Sequence, residues 1–363
     1  MSKLLIILNK LWGTLCGALQ RVTPMVWHAL ARPLTLILGL GLTLSSCHSE
    51  QKSQTQVSQE TSQTQAQRLK AMPNFRADLA YEHIKTQLAC GPRVPQTAAH
   101  DSCLNYISST AQALGAKVSL QKGTGTLYDG QTMPFQNIIV QFSPEKKRRV
   151  MLCTHWDTRP FADQESDESL WHTPIPGAND GASGVGILLE IARLYSLKPA
   201  DVGLDLVFFD LEDWGTPQFA SPQLQQNDSW CIGSTYWAQN LLPKDYAPLY
   251  GILLDMVGAP NATFYRERIS EQYAPYLIDK VWNMGAASGY GSRFINQMGD
   301  QLTDDHVPVN IYANIPCIDL IQFVPNQGFG SYWHTLQDDL QHIDEKTLKA
   351  VGQTITNVLY LEK

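Results

Sequence analysis

The stretch Val207-Phe-Phe-Asp-Leu-Glu-Asp-Trp214 limits what this chain can fold into more than any other. Leu204 to Leu211 reads as a strand apolar enough to be covered on both faces, as in the interior of a parallel sheet. It delivers two adjacent carboxylates, Glu212 and Asp213, to its C-terminal end. Open α/β sheets bind ligands at the carboxyl ends of their strands, so acids there are placed for chemistry. Two neighbouring carboxylates after a strand point different ways, and one can bind a metal while the other moves protons. Taken alone, the pair also fits two solvated loop acids. The residues at the other strand ends decide between these readings.

Apolar spacing predicts helices over 74–88 and 97–114, the first broken by Cys90-Gly-Pro-Arg-Val-Pro95 and the second stopped at Gly115. Strands are expected at 117–121, 136–142 and 149–154, then a helix at 181–195, the strand at 204–211, a helix at 233–241 and a strand at 250–256. A helix at 271–287, strands at 293–296 and 317–322, and a closing helix at 344–361 complete the pattern. Strands alternating with helices predict an α/β fold, a three-layer sandwich with a mostly parallel mixed central sheet. The chain has 363 residues, 44% of them hydrophobic, and no composition break after the N-terminal region, so 71–363 is expected to be one domain. Net charge is -7 and the one basic run is Lys146-Lys-Arg-Arg149. That run reads as a solvated turn, and nucleic acid is not an expected partner.

Residues 1–47 read as a targeting segment. A basic residue, Arg32, precedes a short apolar core from Pro33 to Leu44 and then Leu44-Ser-Ser-Cys47. The core is too short for an ordinary membrane span and has the order of a secretory signal. Ending at Cys47, it resembles a bacterial lipoprotein signal, in which that cysteine carries the lipid. A start at Met25 would give a signal of ordinary length, whereas Lys3 to Leu19 adds an apolar patch that a signal does not need; a single-span anchor is the competing reading. Residues 48–70 are rich in Gln, Ser and Thr and are expected to be a disordered tether. The expected location is therefore exported and membrane-anchored, facing the periplasm or the cell exterior. Beyond Cys16 and Cys47 the cysteines are Cys90, Cys103, Cys153, Cys231 and Cys317. Five thiols in an oxidising compartment allow two disulfides at most; no pairing follows from the sequence, and Cys90 with Cys103, flanking a loop, is the most plausible pair.

Four more sites fall at expected strand ends or in the loops behind them: His155-Trp-Asp157, Asn179-Asp180, Asp255 and Trp333-His334. Each has an ordinary reading alone, Asp180 as a helix cap, Asp255 as a turn former, His155 and His334 as hydrogen-bonded core histidines. Together with Glu212-Asp213 they put only Asp, Glu and His at five positions along one sheet edge. Nitrogen and carboxylate ligands without thiolate suit zinc, and a catalytic zinc keeps one position open.

In order and spacing, His155-x-Asp157, Gly177-Ala-Asn-Asp-Gly-Ala-Ser-Gly184, Phe-Phe-Asp-x-Glu212-Asp213, Leu254-Asp255 and Trp333-His334-Thr resemble the zinc-dependent aminopeptidase superfamily. Within it, Leu254-Asp-Met-Val-Gly-Ala-Pro-Asn-Ala-Thr-Phe264 and Asp304-Asp305-His306-x-Pro308 resemble the glutaminyl cyclases, or glutaminyl-peptide cyclotransferases. The likeness runs over most of 74–361. It implies that Asp180, Asp213 and His334 bind zinc, that Glu212 shuttles the proton, and that Asp255 and Asp304 complete a hydrogen-bond network. One departure is Asp213, where animal enzymes of the family carry Glu; the backbone must come closer by about one methylene.

The reaction so implied converts N-terminal glutamine of peptides and proteins to pyroglutamate, with release of ammonia. Orientation of an intramolecular attack, a Lewis-acid zinc and general base then general acid work by Glu212 would supply the rate. One zinc per chain is expected and a second is left open, because His155 and Asp255, the ligands a second metal would use, are both present. The alternative is therefore a dinuclear zinc aminopeptidase hydrolysing N-terminal residues. A third reading, a binding module without activity, predicts missing ligands, and none is missing. Of the nine tryptophans, Trp214 and Trp333, beside Asp213 and His334, are expected to wall the substrate pocket, whereas Trp171 and Trp237 read as ordinary packing.

Overall fold

The computed structural model describes residues 67–226 and 229–363. The signal and lipid-site cysteine expected in 1–47, and the tether as far as residue 66, lie outside the described residues. Residues 67–70, placed in the tether on composition, are helical; Gln67-Arg-Leu-Lys70 is a run of good helix formers. No described helix is long and apolar enough to cross a membrane.

In chain order the elements are α1 (Ala77–Cys90), α2 (Ala98–Ala113), β1 (Lys117–Thr126), β2 (Thr132–Phe142), β3 (Arg149–His155), α3 (Ala182–Leu197), β4 (Gly203–Phe209), α4 (Ile232–Gln239), β5 (Gly251–Asp255), β6 (Phe264–Arg266), α5 (Arg268–Tyr273), α6 (Pro275–Ala287), β7 (Phe294–Met298), α7 (His306–Ile311), β8 (Cys317–Ile321) and α8 (Glu345–Leu361). Six strands form the main sheet in the order β1-β2-β4-β3-β5-β8. β1 with β2 and β2 with β4 are antiparallel, while β4, β3, β5 and β8 run parallel. The parallel block is what aligns four strand C-termini along one edge.

Alternation along the strands builds two cores. Val150, Leu152, Leu204, Leu206, Phe208, Ile252, Leu254, Ile318 and Leu320 face a large cluster shared with α1, α3, α6 and α8. Met151, Cys153, Val207, Phe209, Leu253 and Cys317 face a smaller one with Trp237 of α4 and Val309 of α7. Helices therefore cover both faces, and the three-layer α/β sandwich follows from a period of two on fully buried strands. Arg149 and Asp205 form a buried ion pair at the opposite end of the sheet, with Nη2 2.6 Å from Oδ1 and Nε 2.8 Å from Oδ2.

The structure corrects several expected elements. The helix expected over 271–287 is two helices, α5 and α6, broken at Ala274, whose φ of -144° leaves the helical region; the ring of Pro275 disfavours α geometry in the residue before it. The strand expected at 293–296 is β7, which pairs with the unexpected β6 and stays out of the main sheet. The strand expected to reach Leu211 stops at Phe209, and Leu211 turns with φ +54°.

Candidate active site

Three residues without glycine's freedom hold positive φ beside the strand ends: Leu211 at +54°, Met256 at +47° and His334 at +53°. Each conformation costs on the order of 1–3 kcal/mol and persists where surrounding structure overdetermines it. Leu211 precedes the Glu212-Asp213 pair, Met256 follows Asp255, and His334 is itself a ligand candidate. The backbone is thus turned sharply at three of the positions that supply acids and imidazole.

Fixed hydrogen bonds hold the loops. Asp157 accepts the N–H groups of Glu212 and Asp213, each at 3.2 Å. Asp338 accepts those of Asn179 and Asp180 at 2.8 and 3.0 Å. Gly181, at φ +89°, follows Asp180; a Cβ there would meet Asp157 O at 2.9 Å and His155 Cε1 at 3.0 Å, so only glycine lets the loop lie this close.

Asp180, Asp213 and His334, all buried, offer ligand atoms within 4.8 Å of one another. His334 Nε2 lies 3.3 Å from Asp213 Oδ1 and 3.6 Å from Asp180 Oδ2. Asp213 Oδ2 is buried without a hydrogen-bond partner. Two carboxylates and an imidazole nitrogen converging at these distances, with a lone oxygen left over, fit a zinc ion with an open fourth position. Behind them, Asp163 Oδ1 is 3.7 Å from His334 Nδ1, and Arg159 grips Asp163 at 2.7 and 2.8 Å while lying 3.4 Å from Asp213 Oδ1. A carboxylate facing the far ring nitrogen is the usual support for a ligand histidine. The imidazole also stacks between Trp333, at 3.7 Å between centroids, and Trp230, at 6.0 Å.

His155 occupies a second group with Asp180 and Asp255. Its Nε2 is 3.0 Å from Asp180 Oδ1 and 3.1 Å from Asp255 Oδ1. Burial lowers the pKa of this histidine, but hydrogen bonds to Asp157, Asp180 and Asp255 outweigh it and hold the ring well above its ordinary value. Asp255 itself is pushed up to about 6, chiefly by burial.

Glu212 is buried, and that burial pushes its carboxyl well above the usual range, with Asp305, Asp213 and Asp304 adding to the effect against His155. Its one hydrogen bond from a side chain comes from the Cys231 thiol, at 3.2 Å to Oε1. Asp304 is raised to about 7, again chiefly by burial. These groups share a cavity of about 250 Å³ with Asp180, Asp213, Trp230, Phe329, Trp333 and His334 on its walls. A larger open groove, about 640 Å³, runs between β1 and the α4 region and carries no acid or histidine.

The expected site residues Glu212, Asp255, Asp304, Asp180, Asp213, His334 and Trp333 thus meet at one cavity, with His155 touching two of them. Trp214 is a correction. It is absent from the cavity wall and packs edge-on to Phe161. Trp230, sixteen residues further and returned by the same loop, takes that place. Sequence reasoning also missed Arg159, Asp163 and Asp338; short polar residues in loops give no periodic signal.

A model described as peptidase family M28 matches residues 137–359. The chain is 49% identical to a glutaminyl cyclase of Bacteroides thetaiotaomicron solved with N-acetylhistamine, over 80% of this chain and 100% of that one, with a TM-score of 0.79. It is 48% identical to a Zn-dependent exopeptidase of Parabacteroides distasonis, over the same shares, with a TM-score of 0.78. A curated relative, glutaminyl-peptide cyclotransferase of Gloydius blomhoffii, is 28% identical over 63% of this chain, which spans 65% of that protein's length.

Proposed function

We propose, from the premise that the chain belongs to peptidase family M28, that it is a zinc-dependent glutaminyl cyclase acting on peptides and proteins with N-terminal glutamine. The observation that carries the reading is a small aromatic-walled cavity in which Asp180, Asp213 and His334 converge on one ion position with Glu212 beside them. A zinc ion held by those three would supply a Lewis acid for the γ-amide carbonyl of the glutamine.

The protein's own groups do the rest. Glu212 takes a proton from the α-amine as the new C–N bond forms and gives it to the departing amide nitrogen, which leaves as ammonia; no water is consumed. Burial raises its carboxyl well above the ordinary range, which favours its holding the proton between the two transfers. Asp255 and Asp304, facing the same cavity, hold the amine and the amide nitrogen. Trp333 and Trp230 exclude water from the aliphatic part of the substrate, favouring ring closure over hydrolysis.

A dinuclear aminopeptidase is favoured by one observation, the ligand spacing of His155, Asp180 and Asp255. Incubation with a Gln-initiated peptide separates the two. Ammonia release and a pyroglutamyl product are expected; free amino acid with a shortened peptide would reject the cyclase. The reading includes export, a lipid on Cys47, and a tether that sets a single catalytic domain, from about residue 71 to 363, beside a membrane. The first 47 residues of the sequence support that part, and metabolic labelling with a fatty acid tests it against Cys47→Ser.

A further inference from the structure

Among the described residues the five cysteines are free thiols, Cys90 and Cys103 included. One of the five reaches the proposed proton carrier: the Cys231 thiol donates to Glu212 Oε1 at 3.2 Å. We propose that Cys231 is a positioning residue, which fixes Glu212 Oε1 and so presents the other carboxylate oxygen, Oε2, to the proton of the substrate. The proposal rests on the role given to Glu212 above.

The backbone of Glu212 is already held. Its N–H donates to Asp157 Oδ1 at 3.2 Å, and its carbonyl accepts from the Cys231 N–H at 3.0 Å. Those two bonds leave the side-chain torsions of a glutamate unset. A general base must lie within hydrogen-bond reach of the proton it takes, and a misplaced one loses rate. The thiol removes that freedom at one oxygen. Cys231 is buried and is not among the residues lining the cavity, so it acts through Glu212 and not on the substrate.

The thiol can position because it is itself positioned. Cys231 has a φ of +55° without glycine's freedom, a conformation kept only where the surroundings overdetermine it. Ile232, the first residue of α4, donates its N–H to Leu211 O at 3.1 Å. Gly233 is pressed onto the end of β4: a Cβ there would meet Asp210 O at 2.0 Å and Asn137 Oδ1 at 2.6 Å. Asn137 bridges the two segments, accepting from the Asp210 N–H at 2.9 Å and donating to Gly233 O at 2.8 Å. The turn carrying the thiol is thereby tied to the turn carrying the carboxylate. Burial, with Glu212, Asp305 and Asp304 nearby, also pushes the thiol well above its ordinary value, which keeps it a donor.

The full zinc-loaded chain is compared with its Cys231→Ala and Cys231→Ser variants over a range of Gln-initiated peptide concentrations. Turnover is read as ammonia release, or as free amino acid if the wild type hydrolyses. Cys231→Ala should lose about 10-fold in kcat, the order expected for one hydrogen bond, with KM and zinc content unchanged. Cys231→Ser gives up the same sulfur but keeps a donor, and should stay within about 3-fold of the wild type. Equal losses in the two variants would make packing the cause, and a wild-type rate in Cys231→Ala would leave the thiol without a role; either overturns the proposal, as does a raised KM at unchanged kcat. If Cys231→Ala does not fold, Cys231→Gly, which takes positive φ without strain and has no side-chain donor, replaces it. Glu212→Gln keeps the two readings apart. Full turnover there dismisses the proton carrier itself, whereas an inactive Glu212→Gln beside a fully active Cys231→Ala dismisses only the thiol.

Discussion

Two carboxylate–histidine groups share Asp180 and are built to opposite ends. In the first, His334 Nε2 stands 3.3 and 3.6 Å from the acids, outside good hydrogen-bond distance, its other nitrogen faces Asp163, and Asp213 keeps an unpartnered oxygen. In the second, His155 Nε2 is drawn to 3.0 and 3.1 Å from Asp180 and Asp255, within hydrogen-bond distance of both. The carboxylates around His155 favour a proton on the ring. Identical residue types therefore stand more openly spaced in one place and within hydrogen-bond distance of one another in the other. What separates them is how closely the acids approach the imidazole nitrogen.

The sharpest way to break this comparison is Asp213→Ala. It should abolish zinc retention and reduce cyclase activity to background, read by metal analysis and ammonia release. Retention of full zinc would remove Asp213 from the first group. Next is Glu212→Gln, which should keep its zinc yet lose turnover on the order of 10²–10⁴-fold, the usual contribution of a positioned acid–base group; unchanged turnover would dismiss the shuttle. His155→Ala probes the second group. Zinc per chain should not change, while activity falls about 10–100-fold through the loosened Asp180 and Asp255; a halved zinc content would show that His155 is a ligand after all.

The smallest effect concerns a buried acid outside both groups, Glu267, paired with His306. Burial alone would raise Glu267, but His306 at 3.1 Å and the N–H groups of Ser270 and Ile269 bring it down to about 2. A carboxylate depressed on folding adds stability that is fully present above its unfolded value, near 4.5, and is lost as pH falls toward 2. Denaturant midpoints at pH 6 and pH 3 should therefore converge in Glu267→Gln relative to the wild type. An unchanged gap would mean that the acid sensitivity lies elsewhere.

The layers and most element positions were legible because they rest on periodicity: the buried strands 149–154 and 204–209, the helix ending at Gly115, and the closing helix capped by Asp344. The ligand candidates were legible because strand order puts C-termini on one edge, so acids and histidines at strand ends meet. What sequence left hidden depends on turns and side-chain direction. The positive φ of Leu211 and the packing of Trp214 on Phe161 could not be read from an apolar run. The β6–β7 pair consists of a three-residue and a five-residue strand without the alternation of the main sheet. Arg159 and Asp163 act by folding back on the site from a loop, where spacing carries no message. The spacing of His155 to Asp180 and Asp255 depends on side chains from separate strands and loops, and the sequence left its role open for that reason.

Native mass spectrometry of the zinc-loaded chain tests the central claim most directly, because it counts ions on the intact protein. The two-group comparison predicts a single zinc per chain, unchanged by excess metal. A second zinc, removed by His155→Ala, would contradict it and restore the dinuclear hydrolase.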